Sequence, residues 1–155
     1  MRRFLSITLA CALALALAVA APVGHAQTTG QAYADEANAV CKESARKGRR
    51  ALEKIKTGNP IEDQVKKSAL FAKLLGKTAS QLERIEPPPA DQQLAESWIS
   101  SIHKQKRLLQ RSVRAFRKGK RGSALQLGKK SAKAGAVSIA KAKQLGATSC
   151  GGQGG

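Results

Sequence analysis

Basic side chains with helical spacing are the residues of this sequence most suited to chemistry, and that chemistry is the binding of anions. Five of them are separated by three, four, three and four positions: Lys104, Arg107, Arg111, Arg114 and Lys118. This spacing places all five on one face of a helix over about 21 Å; we call them the basic ridge. Lys129, Lys130 and Lys133 follow on the next predicted helix. We predict a polyanion-binding surface made by these eight residues. A solvated outer face of a helical bundle is the other interpretation.

The charge of the chain is unevenly distributed. The sequence has 28 Lys and Arg against 10 Asp and Glu, for a net charge of +18. All the acids lie between Asp35 and Glu96, and residues 97–155 contain 14 basic residues and no acid. Attraction of such a region to anions is electrostatic, of low specificity, and falls steeply with salt. The expected partner is an anionic polymer or acidic surface. Sequence-specific nucleic-acid binding is not expected, because no recognition motif is present.

Residues for metal or catalytic chemistry are few. His25 lies in the N-terminal segment, so His103 is the remaining histidine, and we expect it to be solvent-exposed. Cys41 and Cys150 lack the spacing of paired metal ligands. Four acids surround the prolines at 87–89: Glu83, Glu86, Asp91 and Glu96. No second partner fixes an acid–base pair among them. The prediction is a non-enzymatic protein with no metal and no cofactor.

Residues 1–26 have the pattern of a secretory signal peptide. Arginines at positions 2 and 3 precede an apolar run from Phe4 to Ala21, and small residues at Gly24 and Ala26 fit a cleavage site. We predict cleavage after Ala26 and a secreted or extracytoplasmic location in the cell envelope. Two alternatives are an uncleaved membrane anchor and a lipid attached at Cys11, although Thr8 stands where a lipobox would have Leu.

The elements that must position these residues are four helices. The periodicity predicts them over about 31–57, from Pro60 to the prolines at 87–89, over 91–118 and from Ser123 to Leu145. Asn59 is the expected N-cap of the second helix, and Ser123 is the expected N-cap of the fourth. Gly119 and Gly122 separate the third helix from the fourth, and Gly146 is the expected C-terminal cap. Trp98 and Phe116 fall on the inner stripe of the third helix. Leu70 and Leu74 form an apolar pair that we place on the outer face of the second.

Similar helix lengths and short connections predict one all-α domain over residues 27–150, an antiparallel up-down-up-down four-helix bundle. A disordered Gly-rich tail is expected at 151–155. This topology brings the start of the first helix close to the end of the fourth. An exported chain with two cysteines after the signal favours a disulfide, so Cys41 and Cys150 are predicted to join the two ends of the mature chain. Two buried free thiols are the alternative.

Several of these features occur together elsewhere. The signal peptide, Ala39-Val40-Cys41, the Pro-Pro break, the tryptophan after it and Leu145-Gly146 before Cys150 resemble uncharacterised small secreted helical proteins of actinobacteria. The resemblance implies a helical fold and export. It carries over no activity, cofactor or site residue.

The sequence therefore predicts an exported binding or structural protein that associates with anionic envelope polymers through its third and fourth helices. The alternative is a secreted protein–protein interaction module or envelope chaperone. It would use the Leu70/Leu74 face, which also suits a weak homodimer, or the groove left by the small residues of the fourth helix. Membrane disruption by a basic amphipathic helix is a third possibility, opposed by the disulfide.

Overall fold

The computed structural model describes residues 29–151, and all the regular secondary structure in this part of the chain is helical, as predicted. It contains α1 (Gly30–Glu53), α2 (Pro60–Leu82), α3 (Gln92–Arg117) and α4 (Arg121–Gln144). Two short 3₁₀ turns follow α2 and α4: a proline turn (Pro89–Asp91) and a terminal turn (Thr148–Gly151). Gly151, expected in the tail, is therefore helical. The predicted signal peptide and residues 152–155 lie outside the described residues.

The loop between α1 and α2 is organised by side-chain hydrogen bonds. Asn59 is the N-cap of α2, as predicted, and its Oδ1 accepts the N–H groups of Ile61 and Glu62 at 3.0 and 3.2 Å. Asp63 Oδ1 accepts both the N–H and the hydroxyl of Thr57 at 2.7 Å. The hydroxyl bond is the main reason that the pKa of Asp63 is lowered. The Asn59 bonds satisfy two donors at the helix start that would otherwise have no partner, and the Asp63 bonds hold the loop against α2.

Replacing the N-cap tests this account. Asn59→Ala is expected to lower the free energy of unfolding by about 1 kcal/mol, because two backbone donors lose their acceptor. Thermal unfolding measures the change. Asn59→Asp is the matched control: its carboxylate accepts the same bonds and interacts favourably with the helix dipole. Equal destabilisation by the two substitutions would contradict the capping role.

The boundary between α3 and α4 differs from the prediction. Gly119 has φ +73° and ends α3, with its N–H donating to the Phe116 carbonyl at 2.9 Å. Gly122 does not break the chain, and Ser123 does not cap α4, which begins at Arg121 with Lys120 as its N-cap. A single glycine in a helix costs only about 1 kcal/mol relative to alanine, and the packing of α4 outweighs that. The predicted cap at Gly146 is confirmed by its φ of +73°.

Each helix packs on the next one along the chain. Thr78 of α2 donates its hydroxyl to that of Ser44 in α1 at 2.9 Å. Small residues of α4 face α3, as the sequence indicated, and allow a close approach. There the Ser131 hydroxyl donates to the Gln105 carbonyl at 3.2 Å, and the Ser112 hydroxyl of α3 donates to the Ala124 carbonyl at 2.7 Å. The backbone of α1 approaches α2 and the terminal turn most closely, and its Tyr33 side chain reaches the core beside Trp98.

The densest part of the core lies at the end of the molecule that holds the disulfide. Trp98, Tyr33 and Leu82 are its largest fully buried side chains, and most of the rest are alanines. Trp98 was correctly predicted as core. Phe116 was not: it is half-buried, because it lies at the other end of α3, where the side chains are more open to solvent.

The predicted disulfide joins Cys41 to Cys150, with Cα atoms 5.1 Å apart. Asn38, one turn before Cys41, adds two hydrogen bonds across the same junction. Its Nδ2 donates to the Gly146 carbonyl at 3.1 Å, and its Oδ1 accepts the Ser149 N–H at 2.8 Å. The terminal turn and the Gly146 cap before it are thus held to α1 by one covalent bond and two hydrogen bonds.

Candidate polyanion-binding surface

The five residues of the basic ridge lie on the outer face of α3. All five are exposed. Within residues 29–151, none of them pairs with a carboxylate; ion pairs occur instead at Glu43, Glu62 and Glu83. The ridge therefore presents five uncompensated positive charges to solvent. These charges repel one another, and the repulsion is relieved when anions approach them.

The packing of α3 on its neighbours explains why these residues face outward. Ser112 and Gln105 contact α4, and Trp98 and Ile102 lie in or beside the core. The aliphatic part of Lys106 covers Gly76 of α2. The ridge occupies the face of α3 that these contacts leave free.

Lys141 shows which side of α4 lies beside the ridge. Its ammonium donates to the backbone carbonyl of Ser97 at 3.2 Å and to the Ser97 hydroxyl. Ser97 is one heptad before Lys104, so it shares a face of α3 with the ridge. Lys130 precedes Lys141 by eleven positions, about three helical turns, and therefore lies on the same side of α4. It is exposed, as is Lys133, about 60° further round the helix.

Lys129 does not join this surface. It lines a cleft of about 670 Å³ on the other side of α4, together with Ile61, Phe116 and Leu125. A change of one position rotates a helical side chain by about 100°, so adjacent lysines of α4 face different environments. Of the eight predicted residues, the ridge and Lys130 lie on the same side of α3 and α4, whereas Lys133, one turn after Lys129, shares the side of α4 that Lys129 occupies.

Three further basic residues extend the surface at the turn between α3 and α4: Arg117, Lys120 and Arg121, all exposed. Lys120 forms no side-chain cap on α4, and the first turn of α4 contains no acid. The positive end of the α4 dipole therefore adds to the field of these side chains. The sequence signal was present, since five of the eight residues at 114–121 are Lys or Arg. These three residues were not predicted as part of the surface, because the ridge was defined by helical spacing on one face of the third helix and they lie outside that face.

His103 and the acids near the proline turn form a separate small pocket. His103 was predicted to be exposed, but its ring is half-buried and its Nε2 lies 2.7 Å from Glu83 Oε1. The prediction failed because α2 packs against this side of α3. Glu96 and Arg107 line the same pocket, which has a volume of about 460 Å³. No group of three or more His, Cys, Asp or Glu residues in the described part could hold a metal ion.

Tyr33 lies at the base of this pocket. It is fully buried, and its hydroxyl has no hydrogen-bond partner among the described residues. Burial raises the pKa of the Tyr33 hydroxyl, and the nearby Asp91 carboxylate raises it further. The phenol therefore stays uncharged at neutral pH.

Tyr33 supplies a prediction about stability. Tyr33→Phe is expected to leave the free energy of unfolding unchanged or to raise it by about 1 kcal/mol, because it removes an unpaired buried polar atom. Tyr33→Ala should cost about 3–5 kcal/mol, as for other buried aromatic residues. Urea unfolding of the three proteins distinguishes these effects. A loss above 1 kcal/mol in Tyr33→Phe would mean that the hydroxyl has a stabilising partner.

Leu70 and Leu74 do not form the predicted outer-face pair. Both are half-buried. A Cβ atom on Gly48 of α1 would lie 3.2 Å from Leu74 Cδ1, so Leu74 faces α1. The placement was wrong because α2 has neighbours on two sides, which a single apolar stripe does not reveal. A weak homodimer through these residues stays a prediction.

The described fold and surface define a class of protein: a small, disulfide-closed, all-helical chain with an unpaired basic face. None of the helices within residues 29–151 is long and apolar enough to span a bilayer. Neither a protein-family model, nor a curated protein, nor a solved structure matches the sequence.

Proposed function

We propose that this protein is an exported, non-enzymatic binding protein that associates with anionic polymers or acidic surfaces of the cell envelope. The observation that carries the proposal is the basic ridge: five exposed cations along α3 without a carboxylate partner in the described chain. Lys130 of α4 and the basic turn at 117–121 extend it. Export is supported by the predicted signal peptide and by the disulfide, since disulfides persist in oxidising compartments.

We infer further that the four helices form an antiparallel up-down-up-down bundle. Contacts between consecutive helices join later residues of one to earlier residues of the next. In α1 and α2, Ser44 contacts Thr78 and Gly48 contacts Leu74. In α3 and α4, Ser97 contacts Lys141, whereas Ser112 contacts Ala124. In this arrangement α3 and α4 run side by side, so Lys130 lies beside the ridge and together they form one surface about 20 Å long.

Such a surface binds by charge rather than by shape. Among the described residues, Arg107 alone of the ridge lines a pocket, and that pocket also contains Glu83 and Glu96, so it does not favour an anion. The only aromatic residues after position 26 are Tyr33, Phe71, Trp98 and Phe116, too few to provide a stacking platform. The expected ligand is therefore any flexible polymer or surface with closely spaced negative charges.

A salt titration tests this function. The oxidised protein is expected to bind polyphosphate with a micromolar Kd at about 50 mM salt. If seven cations engage, log Kobs should fall with log salt at a slope of about −5, taking about −0.7 per contact for a flexible single strand. Isothermal calorimetry measures the affinity at each salt concentration. Vesicles with anionic lipids should bind likewise, and zwitterionic vesicles should not. Failure to bind at 50 mM salt would remove the proposal.

The second candidate function is the protein–protein interaction module. Large apolar side chains are exposed at Phe71, Leu125 and Val137, at 42, 68 and 49 % of their surface. Contacts through such residues persist or strengthen at high salt, whereas those of the ridge are screened. A partner that stays bound in 1 M salt would favour this function.

A further inference from the structure

The pocket of about 460 Å³ beside the proline turn has the size and lining of a small-molecule site, and we call it the Tyr33 pocket. One wall is a stripe of α3 whose polar residues recur every three or four positions: Gln92, Glu96, Ser100, His103 and Arg107. Glu83, Ile85 and Pro87, from the segment that follows α2, also line it. Its volume is within the range of about 300–1,000 Å³ that is typical of small-molecule sites.

The hydroxyl of Tyr33, at the base of the pocket, is a polar group without a partner. The side chain is fully buried, and its Oη forms no hydrogen bond with the described residues. Such a group destabilises a folded protein, and most buried polar groups in native structures have a partner. Burial and the Asp91 carboxylate raise the pKa of Tyr33, so the hydroxyl keeps its proton and can donate a hydrogen bond. A molecule that enters the pocket with an acceptor oxygen would supply the missing bond.

The carboxylates of the Tyr33 pocket have no Lys or Arg partner among residues 29–151, although the chain has a net charge of +18. Glu83 Oε1 lies 2.7 Å from His103 Nε2, and Glu96 Oε1 accepts the Gln92 side-chain amide at 3.3 Å. Arg107 lines the same pocket but pairs with neither carboxylate. Each carboxylate can accept further hydrogen bonds through its second oxygen. Two negatively charged acceptors in one pocket suit a ligand that carries an ammonium group.

We propose that the Tyr33 pocket binds an α-ammonium group together with the carbonyl oxygen next to it, as in a free amino acid or the N-terminus of a peptide. The ammonium donates to Glu83 and Glu96, and the carbonyl accepts the Tyr33 hydroxyl. Ile85 and Ile99 provide an apolar wall for the side chain of the ligand. This site goes beyond the association with polymers, because it recognises a small ammonium compound whereas the ridge attracts anions.

Three compounds with the same branched side chain test the two polar contacts. Leucinamide has both groups, N-acetylleucinamide lacks the ammonium, and 3-methylbutylamine lacks the carbonyl. The oxidised, ¹⁵N-labelled protein is titrated at about pH 6, where the leucinamide ammonium is protonated, and its amide NMR shifts are followed. We expect leucinamide to bind one site per chain with a Kd of about 0.1–1 mM and to shift the amides of Glu83 and Glu96. The other two compounds should bind at least tenfold more weakly.

The charge of the protein makes this comparison stringent. The overall field of a chain with net charge +18 repels cations, so a preference for leucinamide over the neutral acetyl compound cannot arise from that field. Equal affinities of the three compounds would overturn the proposal. So would the absence of saturable binding of leucinamide up to about 10 mM, ten times the weakest Kd expected.

Free leucine identifies the source of the ligand. Its carboxylate can reach a cation of the pocket, Arg107, which a peptide N-terminus does not need. Leucine that binds at least as tightly as leucinamide assigns the site to free amino acids. Leucine that binds more weakly than leucinamide assigns it to peptide N-termini.

Single substitutions make the test specific. Tyr33→Phe is expected to weaken leucinamide binding about tenfold and to leave the affinity for 3-methylbutylamine unchanged, because that compound has no carbonyl to lose a bond. Glu96→Gln should weaken leucinamide binding at least tenfold. Glu53→Gln, the same charge change at an exposed residue outside the pocket, should not weaken it. An unchanged leucinamide affinity in Tyr33→Phe would overturn the proposal, as would equal losses in the Glu96 and Glu53 variants.

Controls separate this site from the fold and from the ridge. Circular dichroism checks the fold of each variant, and the Glu96 and Glu53 variants decide the matter if Tyr33→Phe is unfolded. Tyr33→Phe and Glu96→Gln leave the ridge intact, so both should bind polyphosphate at least as tightly as the wild type. The ridge variant described below should bind leucinamide at least as tightly as the wild type, because Arg107→Glu removes a positive charge from the pocket. The two functions therefore fail separately.

Discussion

Removing the disulfide by Cys41→Ala with Cys150→Ala is expected to lower the free energy of unfolding by about 4–5 kcal/mol. The bridge spans 109 positions of the sequence, nearly the whole described chain. Closing so long a loop removes much of the conformational entropy of the unfolded state. The loss should be large relative to the stability of a domain of this size, which is about 5–15 kcal/mol.

The structure also indicates which part of the molecule depends on the bridge. Because α1 contacts α2 and the terminal turn, the bridge and the two hydrogen bonds of Asn38 hold its first half to the end of α4. After reduction we expect the amide hydrogens of α1 to exchange faster than those of α3.

Urea unfolding of the oxidised protein and the double variant measures the difference. Reductant should destabilise the former and leave the latter unchanged, which is the control for effects of the reductant itself. A difference below 1 kcal/mol would mean that the bridge strains the folded state or that the unfolded chain is already compact.

Reversing the charge of the ridge is the second large effect. The triple variant Arg107→Glu, Arg111→Glu, Arg114→Glu is expected to weaken polyphosphate binding by at least 100-fold at about 50 mM salt. It removes three contacts, and each contact contributes about −0.7 to the salt slope. It also places three negative charges where the polymer would lie. The slope should therefore become shallower by at least two.

A matched control separates the position of the charge from its amount. Lys42, Arg50 and Lys73 lie on α1 and α2, are exposed and have no carboxylate partner in the described chain. Their replacement by Glu makes the same change in net charge. We expect a loss of less than tenfold, from the weaker overall field alone. Equal losses in both triple variants would show that the whole surface, not the ridge, attracts the polymer.

Stability provides the check on folding. The ridge residues are exposed and unpaired, so their reversal should leave the melting temperature unchanged or raise it, because repulsion along α3 is relieved. Adding moderate salt should raise the melting temperature of the wild type for the same reason. A melting temperature well below that of the wild type would mean that the lost binding reflects unfolding.

Local patterns in the sequence were sufficient for most of the helical boundaries. Asn59 and Gly146 act on their nearest backbone neighbours, so their roles can be predicted without knowing the fold. The pairing of Cys41 with Cys150 was also predictable, because they are the two cysteines that follow the predicted signal peptide. The N-cap role predicted for Ser123 was wrong. Because α4 begins at Arg121, Ser123 lies within its first turn and cannot be the residue that precedes the helix.

The exposure of the basic ridge likewise follows from sequence alone. Residues spaced by three and four share a face of a helix wherever that helix packs, and no acid follows Glu96 to neutralise them. What the sequence could not provide is which charges of neighbouring helices meet. Lys141 turns inward to Ser97 and Lys129 turns to a different cleft, since these positions depend on how α4 is rotated against α3.

The sequence by itself determined the helices, the disulfide and the positive face of α3, because each depends on residue types at short spacing or on a simple count. Only the tertiary structure decided that Leu74 faces α1, that His103 meets Glu83 and that Tyr33 is buried without a partner. It also opened a cleft of about 520 Å³ beside Trp98, lined by side chains of all four helices. These features depend on the distances and rotations between helices, which are set by the packing of many small side chains at once rather than by any local pattern.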